Sequence, residues 1–111
     1  MKLYTNIDQT AKLVELGFKK PNGLEFLVRE QDNPDNAQIV QRIAYSIGEL
    51  IEMLPAEITV DHFTHDRVIS KNEVLYYSWM HEVYFHIFDK NDELIDNLFK
   101  ACVKLKEEGI L

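Results

Sequence analysis

Apolar residues recur at helical spacing near both ends of the chain and alternate with polar ones through much of its middle. Ile7, Thr10, Leu13 and Val14 fall near one face of a helix over 6–16. Asn6, with Gln9 three residues on, forms a capping box at its start. Gly17 supplies a left-handed stop, Phe18 can fold back on the last turn, and Pro21 prevents continuation. At the other end, Leu94, Ile95, Leu98, Phe99, Cys102 and Leu105 make the apolar face of a helix over 91–108. Asn91 can cap it, and Asp92 and Glu93 suit its positive end. Lys100, Lys104 and Lys106 suit its negative end, Gly109 stops it, and Ile110 can fold back as Phe18 does.

Between these helices the pattern changes period. Asn22-Gly23 signals a turn, and Leu24, Phe26 and Val28 alternate as in a short strand. Residues 29–37, with QDNPDN at 31–36, have the chemistry of a loop. Two readings compete over 38–54. The spacing of Ile39, Val40, Ile43, Ala44, Ile47, Leu50, Ile51 and Leu54 fits one helix. Ser46 and Glu49 instead form a capping box, which makes 38–45 extended and 47–54 a short helix ended by Pro55. We favour the break at Ser46, because a capping box inside a helix would be wasted. Ile58, Val60, Phe63, Val68 and Ile69 mark one strand with a polar, bulged middle at Asp61–Asp66. Ser70-Lys71-Asn72 is a turn, 74–80 a second strand, His81-Glu82 a turn and 83–88 a third strand. The pattern predicts one α+β domain over 1–111, with a loop at 29–37. In it a small antiparallel sheet of three or four strands is packed by the C-terminal helix, with two shorter helices beside it. The expected core is Leu13, Ile47, Leu50, Ile51, Val60, Trp79, Phe85, Ile95, Leu98, Phe99 and Cys102.

Composition narrows the function classes. A hydrophobic content of 46% suffices for a core without a disulfide, and the single cysteine excludes an intrachain one. The net charge of −7 argues against a general phosphate-binding surface. The sequence has no apolar run long enough to span a bilayer and no signal-peptide pattern at its start, so we expect a cytoplasmic protein without a membrane partner.

Candidate chemistry is sparse. His62 and His65 point to opposite faces of a strand, as do His81 and His86, and a metal site needs three or four converging ligands. Cys102 lies on the apolar face of its helix, away from the N-terminus that would activate a thiolate. Asp96, beside that face, suits a hydrogen bond to a neighbouring loop or strand. There is no glycine-rich phosphate cradle. We therefore assign no catalytic, cofactor-binding or metal-binding residue. The anomaly is aromatic: six of the twelve aromatic residues lie in 76–88, where helices can cover only one face of the sheet. The second face would carry Tyr76, Met80, Tyr84 and Phe88, residue types enriched in interface cores. The same stretch lacks the Lys and Arg of a base-stacking groove, so no nucleic-acid partner is expected.

The segments YSIGELIEMLP (45–55) and LIDNLFKACVKLKEEGIL (94–111), with TAKLVELGF (10–18), resemble a group of small proteins from phages and integrated mobile elements of gut Bacteroidales. The shared features are structural: an aromatic-Ser cap, a Leu-Pro helix stop and an early Asp-x-x-Phe, here Asp96 to Phe99. The group often has a proline before the capped helix, whereas Arg42-Ile43-Ala44 has none. The resemblance implies an α+β fold and a mobile-element setting, and it carries no catalytic residue across. We expect a non-enzymatic accessory protein acting through protein–protein interaction, its partner another protein or a second copy. One alternative is a small hydrolase or metal-dependent enzyme, motivated by the histidines and acids. Another is an acidic mimic of nucleic acid that inhibits a host protein. That reading requires Asp61, Asp66, Glu73, Glu82 and Asp89 to line one edge.

Overall fold

Helix α1 (Ile7–Glu15) begins where the capping box places it. Asn6 Oδ1 accepts the Gln9 N–H at 2.8 Å, and Gln9 Oε1 accepts the Asn6 N–H at 3.0 Å. Gly17, at φ 95°, turns the chain so that the Phe18 N–H reaches the Leu13 carbonyl at 3.1 Å, satisfying an orphan helix carbonyl. The computed structural model describes residues 2–29, 38–78 and 83–111, with side-chain positions for all of these except 23–29 and 38–42. Trp79, Met80, His81, Glu82 and all of the expected loop except Arg29 lie outside the described residues.

The chain does break at Ser46. Strands β1 (Gly23–Arg29) and β2 (Gln38–Ala44) pair antiparallel as a separate two-stranded sheet, and α2 (Ile47–Met53) follows. Ser46 Oγ accepts the Glu49 N–H and Glu49 Oε1 accepts the Ser46 N–H, each at 3.2 Å. The stub just before this cap is pinned to the N-terminal segment. The Tyr45 N–H donates to Thr5 Oγ1 at 3.1 Å, and the Thr5 N–H to the Tyr45 carbonyl at 2.9 Å.

The four-stranded antiparallel sheet runs in chain order: β3 (Glu57–Val60), β4 (Phe63–Ser70), β5 (Glu73–Tyr77) and β6 (Val83–Ile87). What reads in sequence as one strand with a bulged middle is therefore two strands and a hairpin turn. Asp61 (φ 51°) and His62 (φ 70°) both adopt the left-handed conformation that a two-residue hairpin turn demands. Asp and His tolerate it better than most residues, and no Asn-Gly signal marks the position.

Helix α3 (Leu94–Glu107) starts later than Asn91 suggests. The Asp96 carboxylate accepts the Glu93 N–H at 3.1 Å, while the Asn91 N–H is held in the preceding turn by Asp89. Its end repeats that of α1: Gly109 has φ 76°, and the Ile110 N–H donates to Leu105 O at 2.9 Å. α3 packs on β5 and β6, and α1 and α2 pack on α3, so the helices cover one face of the sheet. Leu13, Leu50, Phe85, Ile95, Leu98 and Cys102 are buried as expected. Ile47, Ile51, Val60 and Phe99 are only partly buried at its margin. Tyr45, Leu54, Ile58, Val74, Tyr76 and Leu105 complete the interior.

The α+β architecture is the expected one, with one addition: β1 and β2 form an arm. Among the described residues, each of these strands packs substantially only against the other. The chain extends 60 Å along its longest axis and 17 Å along its shortest. Its radius of gyration is 16.6 Å, against about 13 Å for a compact chain near this length.

Candidate functional site

The site sits at the end of the sheet where β5 closes and β6 opens. Tyr76 pairs with Phe85 and Tyr77 with Val83, so Tyr84 is the extra residue of a β-bulge. A bulge resets the alternation of a strand. Tyr84 is thereby turned onto the helix side of the sheet, its ring 6.0 Å from His65 and 5.6 Å from Phe85. Val83 remains beside Tyr77 on the open side.

This reset changes the expected aromatic surface. Tyr76 is fully buried, its ring against Phe85 and its hydroxyl donating to the Pro55 carbonyl at 2.7 Å. It contributes interior packing and no surface. Tyr84 is partly buried at the bulge, and Phe88 is 56% exposed just past the far end of β6. Tyr84 and Phe88 are four residues apart, roughly 13 Å along a strand. They do not form one patch with Tyr76, and Met80 lies outside the described residues.

The structure brings a different set together. Phe63 opens β4, Tyr77 closes β5 and Val83 opens β6, all at one end of the sheet, with exposures of 41%, 36% and 56%. Beside them Val60, Asp61, Phe63, His65, Val83 and Tyr84 line a groove of about 270 Å³. His65 forms its buried floor and donates from Nδ1 to the Phe63 carbonyl at 3.1 Å. A strand read straight through Asp61-His62 gives no hint that Phe63 begins a new strand at this end.

The open face of the sheet continues from this end. By register, Val68 lies opposite Leu75, and Tyr77 lies between Asp66 and Val83. No described residue on this face is buried. Acids border the apolar centre: Glu57 lies opposite Asp66, and Glu73 is paired with His86 at 2.8 Å. The hydrogen bond from His86 holds the Glu73 carboxyl below its ordinary range. Of the acids that a nucleic-acid mimic would align, Asp61 sits in the β3–β4 turn, Asp66 and Glu73 on different strands, and Asp89 beyond β6. Glu82 lies outside the described residues.

The remaining candidate groups serve the fold. Burial pushes the Cys102 thiol up to about 12, and its Sγ faces the Leu50 carbonyl at 3.8 Å. A thiol held that high is no nucleophile near neutral pH. His62 is exposed in its turn, His65 buried and His86 paired with Glu73. Among the described residues, no three His, Cys, Asp or Glu side chains gather as metal ligands. No described helix is long and apolar enough to cross a membrane.

Asp96 does find neighbouring partners. Its Oδ1 accepts from Lys2 Nζ at 2.7 Å and from Gln9 Nε2 at 2.9 Å, tying the N-terminal segment and α1 to α3. Burial raises its pKa, but the hydrogen bonds from Lys2, Gln9 and the Glu93 backbone outweigh this, and the net shift is downward. Between the folded and unfolded values the unfolded chain binds more protons at this site, so stability falls as pH drops through that interval. We expect a melting temperature that declines below about pH 4, where an unfolded Asp protonates. In Asp96→Asn the decline should be shallower and neutral-pH stability lower. Parallel profiles for the two proteins would remove Asp96 from this role.

Compared with protein-family models, with curated proteins and with solved structures, the chain has no match.

Proposed function

We propose that this chain is a non-enzymatic protein-binding module, with the accessory role in a phage or integrated mobile element that the resemblance of 45–55 and 94–111 implies. The observation that carries the reading is the groove at one end of the sheet, rimmed by the exposed Phe63 and Val83 and lined also by Val60, Asp61, His65 and Tyr84. Single exposed apolar residues are ordinary on a protein surface. A groove with exposed apolar side chains at its rim is a recognition feature. Tyr84 and His65 give the groove an aromatic floor of the kind that anchors a partner's apolar side chain.

The test uses a double variant, Phe63→Ser with Val83→Glu. Both side chains are substantially exposed, so folding stability should change by no more than about 1 kcal/mol. Immobilised wild-type protein is expected to retain a partner that the variant releases, or to self-associate in light scattering where the variant does not. Equal capture by both, or neither capture nor self-association by the wild type, overturns the reading.

A further inference from the structure

The groove at the end of the sheet has a mixed lining. Val60 and Val83 are aliphatic, Phe63, His65 and Tyr84 are rings, and Asp61 is an acid. Among the described residues no Lys or Arg lines it. Its volume, about 270 Å³, falls just under the ~300 Å³ at which small-molecule sites begin, so it has room for one long side chain.

The rings belong to a series that already holds a cation at one end. Phe85, Tyr84 and His65 follow one another on the helix side of the sheet, with centroids 5.6 Å and 6.0 Å apart and planes inclined at 61° and 62°. At the Phe85 end, Lys104 of α3 sets its ammonium 5.7 Å from the ring centroid, close enough for attraction to the negative face of the π-system. At the His65 end the series opens into the groove, where Phe63 joins it. Among the described residues no Lys or Arg lies over the rings at this end.

The polar groups of the groove agree in sign. His65 donates its Nδ1 proton to the Phe63 carbonyl, so Nε2 of the neutral ring is an acceptor. Asp61 is exposed and has no ion pair among the described residues. The basic residue nearest to it in sequence, Arg67, is committed to the carbonyls that end α2. The net charge of −7 adds a general attraction for a cation.

We propose that this groove receives an arginine side chain of the partner protein. The guanidinium lies against the rings of Phe63 and Tyr84 with its N–H groups toward Asp61 and His65, and the aliphatic stem crosses Val60 and Val83. This rests on the protein-binding reading above and names the side chain that the partner contributes. Arginine suits the lining better than lysine, because its planar head stacks on an aromatic face and forks onto a carboxylate at the same time. It suits the lining better than a purely apolar side chain, because it also gives Asp61 a counter-charge.

The probe is N-acetyl-arginine N-methylamide, titrated into the full chain and followed through the NMR signals of the Phe63, His65 and Tyr84 rings. The citrulline derivative keeps the shape and loses the charge, and it serves as the control together with the leucine derivative. The arginine probe is expected to shift all three rings saturably and to bind at least about fivefold more tightly than either control. That advantage should shrink as salt rises. Asp61→Asn should weaken arginine binding about threefold and leave citrulline binding unchanged. Asp61 is exposed at φ 51°, a conformation that asparagine adopts readily, so this variant keeps its turn. Tyr84→Leu retains an apolar side chain and removes a ring, and should weaken arginine binding at least about fivefold. If its melting shows that it does not fold, Phe63→Leu, at a substantially exposed position, makes the same test. Equal affinity for arginine and citrulline, unchanged arginine binding in Asp61→Asn, or no shift with the arginine probe overturns the assignment. The protein-binding reading fails separately, and only if the wild type captures nothing that the Phe63→Ser, Val83→Glu variant releases.

Discussion

Truncating Tyr76 to alanine should cost about 3–5 kcal/mol, the toll for deleting a large buried aromatic side chain. A domain of this length is typically stable by ~5–15 kcal/mol, so the variant should melt at least about 12 °C lower. The ring is fully enclosed on the face of β5 that α3 packs against, lies 5.3 Å from the Phe85 ring centroid, and bonds through its hydroxyl to the Pro55 carbonyl. Tyr76→Phe keeps the ring and loses only that bond, for about 1 kcal/mol. The difference between the two variants separates packing from hydrogen bonding. Burial also pushes the phenol up to about 12, with Arg67 pulling the other way. Stability from this group is complete below the ordinary tyrosine value near 10 and is lost as pH rises from there toward 12. An unchanged melting temperature in Tyr76→Ala would take the residue out of the core and return it to the surface.

The second large effect belongs to Arg67. Helix α2 has no basic residue in its last turn to meet its C-terminal carbonyls. Arg67, reaching from β4, supplies the missing donor: Nη1 donates to Ile51 O at 3.0 Å and to Leu54 O at 2.6 Å. Bonds from a charged donor are worth about 1.5–3 kcal/mol each and are not fully additive. Arg67→Met keeps the apolar stem and removes both bonds, so unfolding by urea should show a loss of about 2–4 kcal/mol. Arg67→Lys should recover only part of it, because the shorter lysine side chain does not carry its ammonium to the position of Nη1. A midpoint in the methionine variant equal to that of the wild type would mean that solvent serves those carbonyls equally well.

Local chemistry announces what was legible in the chain. Asn6 with Gln9, Ser46 with Glu49, and glycines 17 and 109 mark helix boundaries through contacts only three to five residues long. The face of α3 follows from its period. The turn at Asp61-His62 was not legible, because its left-handed residues lack the glycine that usually signals one. The bulge at Tyr84 was hidden too, since alternation continues on both sides of it and only the partner strand reveals the slipped register. That slip decides the candidate site: it sends Tyr84 inward and leaves Val83 with Tyr77 outside. The service of Arg67 to α2 crosses 13 to 16 residues and depends on packing that no pattern encodes. Phe99 shows the converse, an apolar position at helical spacing that ends only partly buried at the margin of the core.

The sequential order of β3 to β6 has a consequence for the entropy of assembly. Each strand of the sheet meets the next across a short connection, so closing it fixes little intervening chain. The N-terminal segment is different. Tyr45 reaches back 40 residues to Thr5, and Lys2 meets Glu93 and Asp96 across 91 and 94 residues. Contacts of that span are worth forming only once the ground between them is ordered. The longest closures of this fold therefore belong to its first few residues, which strap a body that α2 and α3 close across the 52 residues between Leu50 and Cys102.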